Sequence, residues 1–309
     1  MSKIAFVFAG QGSQFVGMGK DIITISKRAN QIFENASDIL GYDMKNLVFE
    51  GPEETLMITE NTQPAILTAS YAMLQPLVEA GIRATVTAGL SLGEYTANVY
   101  AETLSFEEAV KTVRLRGKYM QEEVPAGVGG MSAVLGLDDE TVAKACSDVS
   151  EYGYVACANF NCPGQVVVSG QLTALAKVGE LLLSSGAKRV IPLSVSAPFH
   201  CELLKGAGEK LRKQLETIIF NEPKIPVIAN TTGLPYDNQS VIKDLLVDQV
   251  SHTVKWTNSV NYMIKEGIDT FIEIGPGKTL SGLIKKTDKN VRVFNVQDSQ
   301  SLKDTLENL

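Results

Sequence analysis

One stretch limits what this chain can become: Ala84 to Ala97, where an apolar, β-prone run meets a helix-prone run at a single corner. The corner is Gly89-Leu90-Ser91-Leu92-Gly93, a G-x-S-x-G pattern. A strand that turns directly into a helix forces the corner residue into a strained conformation. Glycines on either side remove the Cβ atoms that would collide there. The turn presents the serine hydroxyl at a sheet edge, and the helix start behind it offers free N–H groups to a developing negative charge. The plain structural reading is a Gly-Ser turn; the strand before and the helix after favour Ser91 as a nucleophile.

The rest of the chain alternates strand and helix. Ile4 to Ala9 reads as a strand ending in the turn Gly10-Gln11-Gly12-Ser13-Gln14. Phe15 stands where a dinucleotide fingerprint needs its third glycine, so the turn is read as a tight loop whose backbone near Gln11 can approach a ligand and donate an N–H. Helices are expected over 29–40 and 53–58, and over 65–80 with Pro64 in the tolerated first-turn position. Ser105-Phe106-Glu107-Glu108 is a capping box for a helix running to about Glu123. On that helix Phe106, Ala109, Val110, Val113, Gly117 and Met120 share one face. At ~100° per residue, Arg116 falls at the edge of that face. An inward guanidinium needs an anion or an internal partner. A snorkelling or paired arginine and one awaiting a substrate carboxylate both remain open.

After Pro125-Ala126-Gly127-Val128-Gly129-Gly130 the pattern becomes β-α-β-β-α-β: strand 131–137, helix 139–149, strand 154–159, turn 161–164, strand 165–169, helix 173–185, strand 189–195. This is the ferredoxin-like order. Beyond it come a helix over 202–219, a strand over 225–229, helices over 241–250 and 257–266, and a strand over 270–274 ending in Gly275-Pro276-Gly277. A helix, a strand and a final helix close the chain. The expected class is α/β, with an α/β-hydrolase-like main domain (1–125 and 196–309) built on a mainly parallel sheet. A ferredoxin-like subdomain is inserted at 126–195.

A serine needs a base, and the chain offers two histidines. His252 lies among polar residues and is assigned to the surface. His200 follows Pro198-Phe199 at the junction of the two domains, where clefts lie, and is taken as the base. No carboxylate between Ser91 and His200 stands out as an orienter; Glu94, one turn past the serine, is expected to face solvent. A Ser-His dyad is therefore expected. A net charge of −7 argues against a broad nucleic-acid surface. No stretch has the length of a membrane span and no signal peptide is recognised, so the expected setting is cytoplasmic. The four cysteines form no C-x-x-C pair and are expected to be reduced thiols, and with only two histidines no metal site is expected.

Several motifs in order point further: Phe8-Ala9-Gly10-Gln11-Gly12-Ser13-Gln14, Thr62-Gln63-Pro64-Ala65, the elbow through Tyr95, and Arg116-Gly117-Lys118-Tyr119-Met120-Gln121. They continue with Asn159-Phe160-Asn161-Cys162-Pro163-Gly164-Gln165, Ala197-Pro198-Phe199-His200, Gln249 and Glu273-Ile274-Gly275-Pro276-Gly277. Over nearly its whole length the chain resembles the malonyl-CoA:acyl carrier protein transacylase family. The resemblance implies that Ser91 carries the malonyl group and that His200 acts as base and then acid. It implies that the Gln249 carbonyl orients His200 and that the N–H groups of Gln11 and Leu92 form the oxyanion hole. Arg116 then binds the free malonyl carboxylate, Gln63 lines the substrate site, and Phe199 crowds the acyl α-carbon. Malonyl-CoA and acyl carrier protein are the implied partners, with no bound cofactor, and a monomer is expected. Basic clusters over 188–213 and 285–292 are candidates for meeting an acidic carrier. The competing readings are a transferase loading polyketide carriers, a serine esterase or thioesterase, and a silent carrier-binding scaffold.

Overall fold

The computed structural model describes residues 3–125, 127–195 and 197–309. It has two sheets. The first is parallel throughout, in the order β2 (Val86–Gly89), β1 (Ile4–Phe8), β7 (Thr270–Ile274), β8 (Arg292–Val296). Strand alternation sends Phe6, Phe8, Ile272 and Ile274 into one buried cluster and Ala5, Val7, Val86, Ala88 and Phe271 into another. Apolar packing therefore covers both faces, as near-continuous apolar strands require. Residues 225–229, expected as a strand, form no ladder and contribute two isolated bridges, Thr87 to Val227 parallel and Ile228 to Pro235 antiparallel. Pro226 cannot donate to a ladder, which limits the pairing with β2 to one register point.

The second sheet is antiparallel, in the order β4 (Val155–Cys162), β5 (Gln165–Gln171), β3 (Gly129–Leu135), β6 (Arg189–Pro192). Helices Asp139–Asp148 and Leu172–Ser184 pack on it, burying Val142, Ala145, Val178 and Leu182. The strand over 154–159 runs on to Cys162, which shortens the expected turn to Pro163-Gly164. The last strand stops at Pro192 instead of reaching Val195. Ala126 and Ser196, the first residues after each expected boundary, lie outside the described residues. A bridge between Asn159 and Val254 ties the second sheet to the first body.

Most helices fall where the sequence places them; Ile22–Ile25 and Met44–Phe49 were not expected, and two others differ in extent. The helix over 65–80 begins six residues earlier, at Thr59, and carries Pro64 and Pro76 inside it. Its start is secured by the Thr62 hydroxyl, which donates to Leu56 O at 2.6 Å, and its buried face includes Gln63. The helix over 202–219 is instead a short 3-10 turn followed by Lys205–Leu215. Among the described residues no helix is long and apolar enough to cross a membrane. The first two parallel strands release their loops at the same edge: β1 into Gly10–Gln14 and β2 into the elbow. That edge of an open parallel sheet is where ligands bind.

Candidate active site

The elbow is built as the glycines demand. Ser91 has φ 52° and is followed by helix Gly93–Tyr100. A Cβ on Gly89 would sit 2.0 Å from the Gly93 carbonyl carbon, and one on Gly93 would sit 2.2 Å from Phe8 O. Only glycine permits β1, β2 and this helix to approach so closely. Asn230 braces the turn from a distant loop: its Oδ1 accepts the Ser91 N–H at 2.6 Å and its Nδ2 donates to Gly89 O at 2.7 Å.

His200 also adopts a left-handed conformation, φ 58°, which turns its ring inward from the segment after β6. Its Nε2 lies 2.7 Å from Ser91 Oγ and its Nδ1 lies 2.7 Å from the Gln249 carbonyl oxygen. A carbonyl can only accept, so Nδ1 carries the proton and Nε2 presents a lone pair to the serine hydroxyl. Burial pushes the imidazole down to about 3; the Arg116 cation adds to this and the Gln249 carbonyl opposes it. The ring therefore stays neutral, and competent to accept a proton, across the neutral range.

Arg116 is 1% exposed on helix Phe106–Glu123. Its Nη1 donates to Gln63 Oε1 at 2.8 Å. Its Nη2 donates to Ser91 Oγ and to Gln249 Oε1, each at 3.0 Å. The Tyr95 ring centroid lies 5.5 Å from the guanidinium carbon. Its Nε is buried with no hydrogen-bond partner, and among the described residues no carboxylate pairs with it. A cation packed this deeply with a donor unmet is arranged to receive an anion.

A cleft of about 300 Å³ opens in front of these groups. Gln11, Ser91, Arg116 and His200 line one side, and Asn161 and Val167 of the antiparallel sheet line the other. Gln63 and Phe199 line it as well. Leu92 follows the serine at the helix start, and the backbone N–H groups of Gln11 and Leu92 meet no acceptor among the described residues. The structure thus gathers Ser91, His200, Gln249, Arg116, Gln63, Phe199 and Gln11 around one space. His252 is exposed, held by the Asp248 carbonyl.

Glu94 departs from expectation. It is fully buried and accepts hydrogen bonds from Tyr236 Oη (2.6 Å), Gln249 Nε2 (2.6 Å) and the Asn230 backbone (3.0 Å). The elbow helix turns its first turn toward the loop that carries Asn230 and the helix Ile242–Ser251 that carries Gln249, which lie more than a hundred residues away in sequence and leave no local signal. Asn230 and Tyr236 were invisible to the sequence for the same reason. The basic clusters are also partly spent: Lys210 pairs with Glu123 at 2.9 Å, Arg212 with Asp244, and Arg292 bonds the carbonyls of Asn308 and Leu309.

A strained serine, a carbonyl-held histidine and a buried guanidinium on an α/β scaffold are the furniture of acyl-group chemistry. The chain belongs to the acyl transferase domain family, whose model matches residues 5–303. Its similarity is to the malonyl CoA-acyl carrier protein transacylases. That of Bacillus subtilis (strain 168) is 46% identical over 310 residues, covering 100% of this chain and 98% of the relative. The crystal structure of the Clostridium perfringens transacylase superposes with a TM-score of 0.96 at 47% identity, covering 99% of this chain and 96% of that one. A malonyl-transacylase solved with its type II polyketide acyl carrier protein gives 0.97 at 43% identity, with 100% of both chains covered.

Proposed function

We propose that this chain transfers malonyl groups from coenzyme A to the phosphopantetheine thiol of acyl carrier protein. Ser91 Oγ passes its proton to His200 Nε2 and attacks the thioester carbonyl carbon. The oxyanion that forms is met by the N–H groups of Gln11 and Leu92. The C–S bond breaks and His200 returns the proton to the departing thiolate. The carrier's thiol then gives its proton to His200, its sulfur attacks the acyl-serine, and the Ser91 oxygen leaves with that proton. Gln249 supplies the carbonyl that a triad carboxylate supplies elsewhere, since the task is to hold the tautomer. Arg116, steadied by Gln63, takes the free carboxylate of the acyl group. Phe199 walls the acyl α-carbon, a discrimination worth ~1–3 kcal/mol per methylene. The malonyl group comes from the donor thioester and the exchanged proton from the carrier's thiol, so the reaction calls for no bound cofactor.

The observation that carries this reading is the unbroken path from Gln249 O through His200 to Ser91 Oγ, with an unpaired buried cation beside it. The parallel body with its elbow supports an α/β-hydrolase-like main domain. The antiparallel sheet, with the second and fourth strands at its edges, supports a ferredoxin-like insert over 126–195. A site complete within one chain supports action as a monomer, in the cytoplasm where both partners of the reaction are expected. The likeness to the polyketide transacylase favours one second reading, in which the acceptor is a polyketide carrier.

The test is mass spectrometry of the purified protein with malonyl-CoA. One malonyl group should appear on Ser91 and pass to carrier protein faster than to water. Release to water alone would make the chain a hydrolase, and faster loading of a polyketide carrier than of a fatty-acid carrier would move it to the second reading.

A further inference from the structure

Glu94 has no part in the transfer scheme, yet it is buried at the heart of the site. Burying a carboxylate is costly unless its lone pairs are met. Here Tyr236, Asn230 and Gln249 supply donors from separate segments. The Gln249 amide spans the two buried charges. Its Nε2 donates to Glu94 Oε2 at 2.6 Å while its Oε1 accepts from Arg116 Nη2 at 3.0 Å. The same Nε2 also donates to Ser91 O at 2.9 Å, and the backbone carbonyl of Gln249 holds His200. One side chain thus holds the residue on which the serine and the arginine, through its side-chain amide, and the histidine, through its backbone carbonyl, all depend.

We propose that Glu94 is a positioning residue and the through-amide counter-charge of Arg116, holding Gln249 in place and setting how strongly the guanidinium draws a carboxylated acyl group. This rests on the reading that Arg116 receives that carboxylate. An ionised Glu94 already offsets part of the Arg116 charge, so an incoming malonyl carboxylate is the second anion facing one buried cation. With Glu94 protonated, the guanidinium is left to the substrate. Burial raises the Glu94 carboxyl to about 7, against the pull of its hydrogen-bond donors and of Arg116, so both forms are present at working pH. The other ionisable groups facing it are Tyr236 from the loop, Tyr95 from its own helix and Arg116 from helix Phe106–Glu123. Burial holds both tyrosines neutral.

The experiment compares rate constants for acylation of Ser91 by malonyl-CoA and by acetyl-CoA from about pH 5.5 to about pH 8.5. Both donors share the coenzyme A moiety and the His200 base, so their titrations cancel in the ratio. In the parent protein the malonyl-to-acetyl ratio should fall by about tenfold as pH rises through the Glu94 range, the change carried by one pKa unit of coupling. In Glu94→Gln both acylations should slow, while the ratio stays high and flat. Tyr236→Phe removes a bond that favours the carboxylate, so the fall should move to higher pH. A flat ratio in the parent, or equal losses for both donors in Glu94→Gln with the pH dependence intact, overturns the proposal. If Glu94→Gln fails to fold, the shift in Tyr236→Phe decides. Arg116→Ala separates the two readings. An unchanged ratio there removes the carboxylate role of Arg116, whereas a collapsed ratio alongside an indifferent Glu94→Gln removes only the role of Glu94.

Discussion

Ser91 and His200 both hold φ values near +55°, a region that L side chains visit at a cost of about 1–3 kcal/mol. Of the three non-glycine residues with positive φ among the described residues, two thus meet at the Ser91 hydroxyl; the third is Glu102. For Ser91 the strain is offset by Asn230 and made possible by Gly89 and Gly93. Gly93→Ala should destabilise the protein by about 3 kcal/mol, the upper end for overpacking, because its Cβ would lie 2.2 Å from Phe8 O and neither backbone can yield cheaply. Urea unfolding would show a lowered midpoint, and an unchanged midpoint would mean the elbow is looser than it stands here. The five-residue pattern, taken with the strand before it and the helix after it, pointed to Ser91, because the strain is local. It could not find Asn230, whose brace spans 139 residues of chain.

Among the elements, helix Phe106–Glu123 was the most legible. Ser105 Oγ accepts the Glu108 N–H at 3.1 Å and the Glu108 carboxylate reaches back to Ser105, as the spacing alone predicts. Ser105→Ala should cost about 1 kcal/mol by denaturant titration and leave the acyl-donor ratio untouched, since the cap lies at the far end of the helix from Met120. Equal damage to activity and stability would tie the cap to the site. The helix Thr59–Glu79 was misread at its start because Pro64 looked like a first-turn residue. The helix gives up one internal bond at Pro64 and gains the buried face that sets Gln63 against Arg116. A local preference lost to packing, which is the usual direction of such contests.

At the scale of the molecule the site makes two opposing contributions to pH stability. His200 titrates at about 3 when folded against an ordinary 6.5, so the unfolded chain binds its proton first and stability falls as pH drops below 6.5. Glu94 titrates at about 7 against an ordinary 4.5, so its folded form binds the proton first and stability falls as pH rises from 4.5 through 7. Between 4.5 and 6.5 the two offset each other. His200→Gln removes one side of that balance. Relative to the parent, the variant should gain stability as pH falls below 6.5, by up to about 1.4 kcal/mol per pH unit, read as a rising difference in Tm. A difference that does not change with pH would mean the imidazole is protonated as easily in the fold as outside it.

What the sequence determined by itself was everything set within a few residues or by repeating period: the elbow and its serine, the capped arginine helix, the alternation that makes a parallel sheet, and the βαββαβ order of the second. It also placed Arg116 at the edge of an apolar face, though it could not say what lay opposite. Only the tertiary structure decided partners. It set His200 against Ser91 and the Gln249 carbonyl against His200, pairings that the motif resemblance implied but no local pattern fixes, and it turned Glu94 inward. Periodicity fixes which face of an element is buried, but the group that meets a buried charge is chosen by helices and loops arriving from far along the chain, where packing and the need to satisfy each polar atom outweigh any local preference.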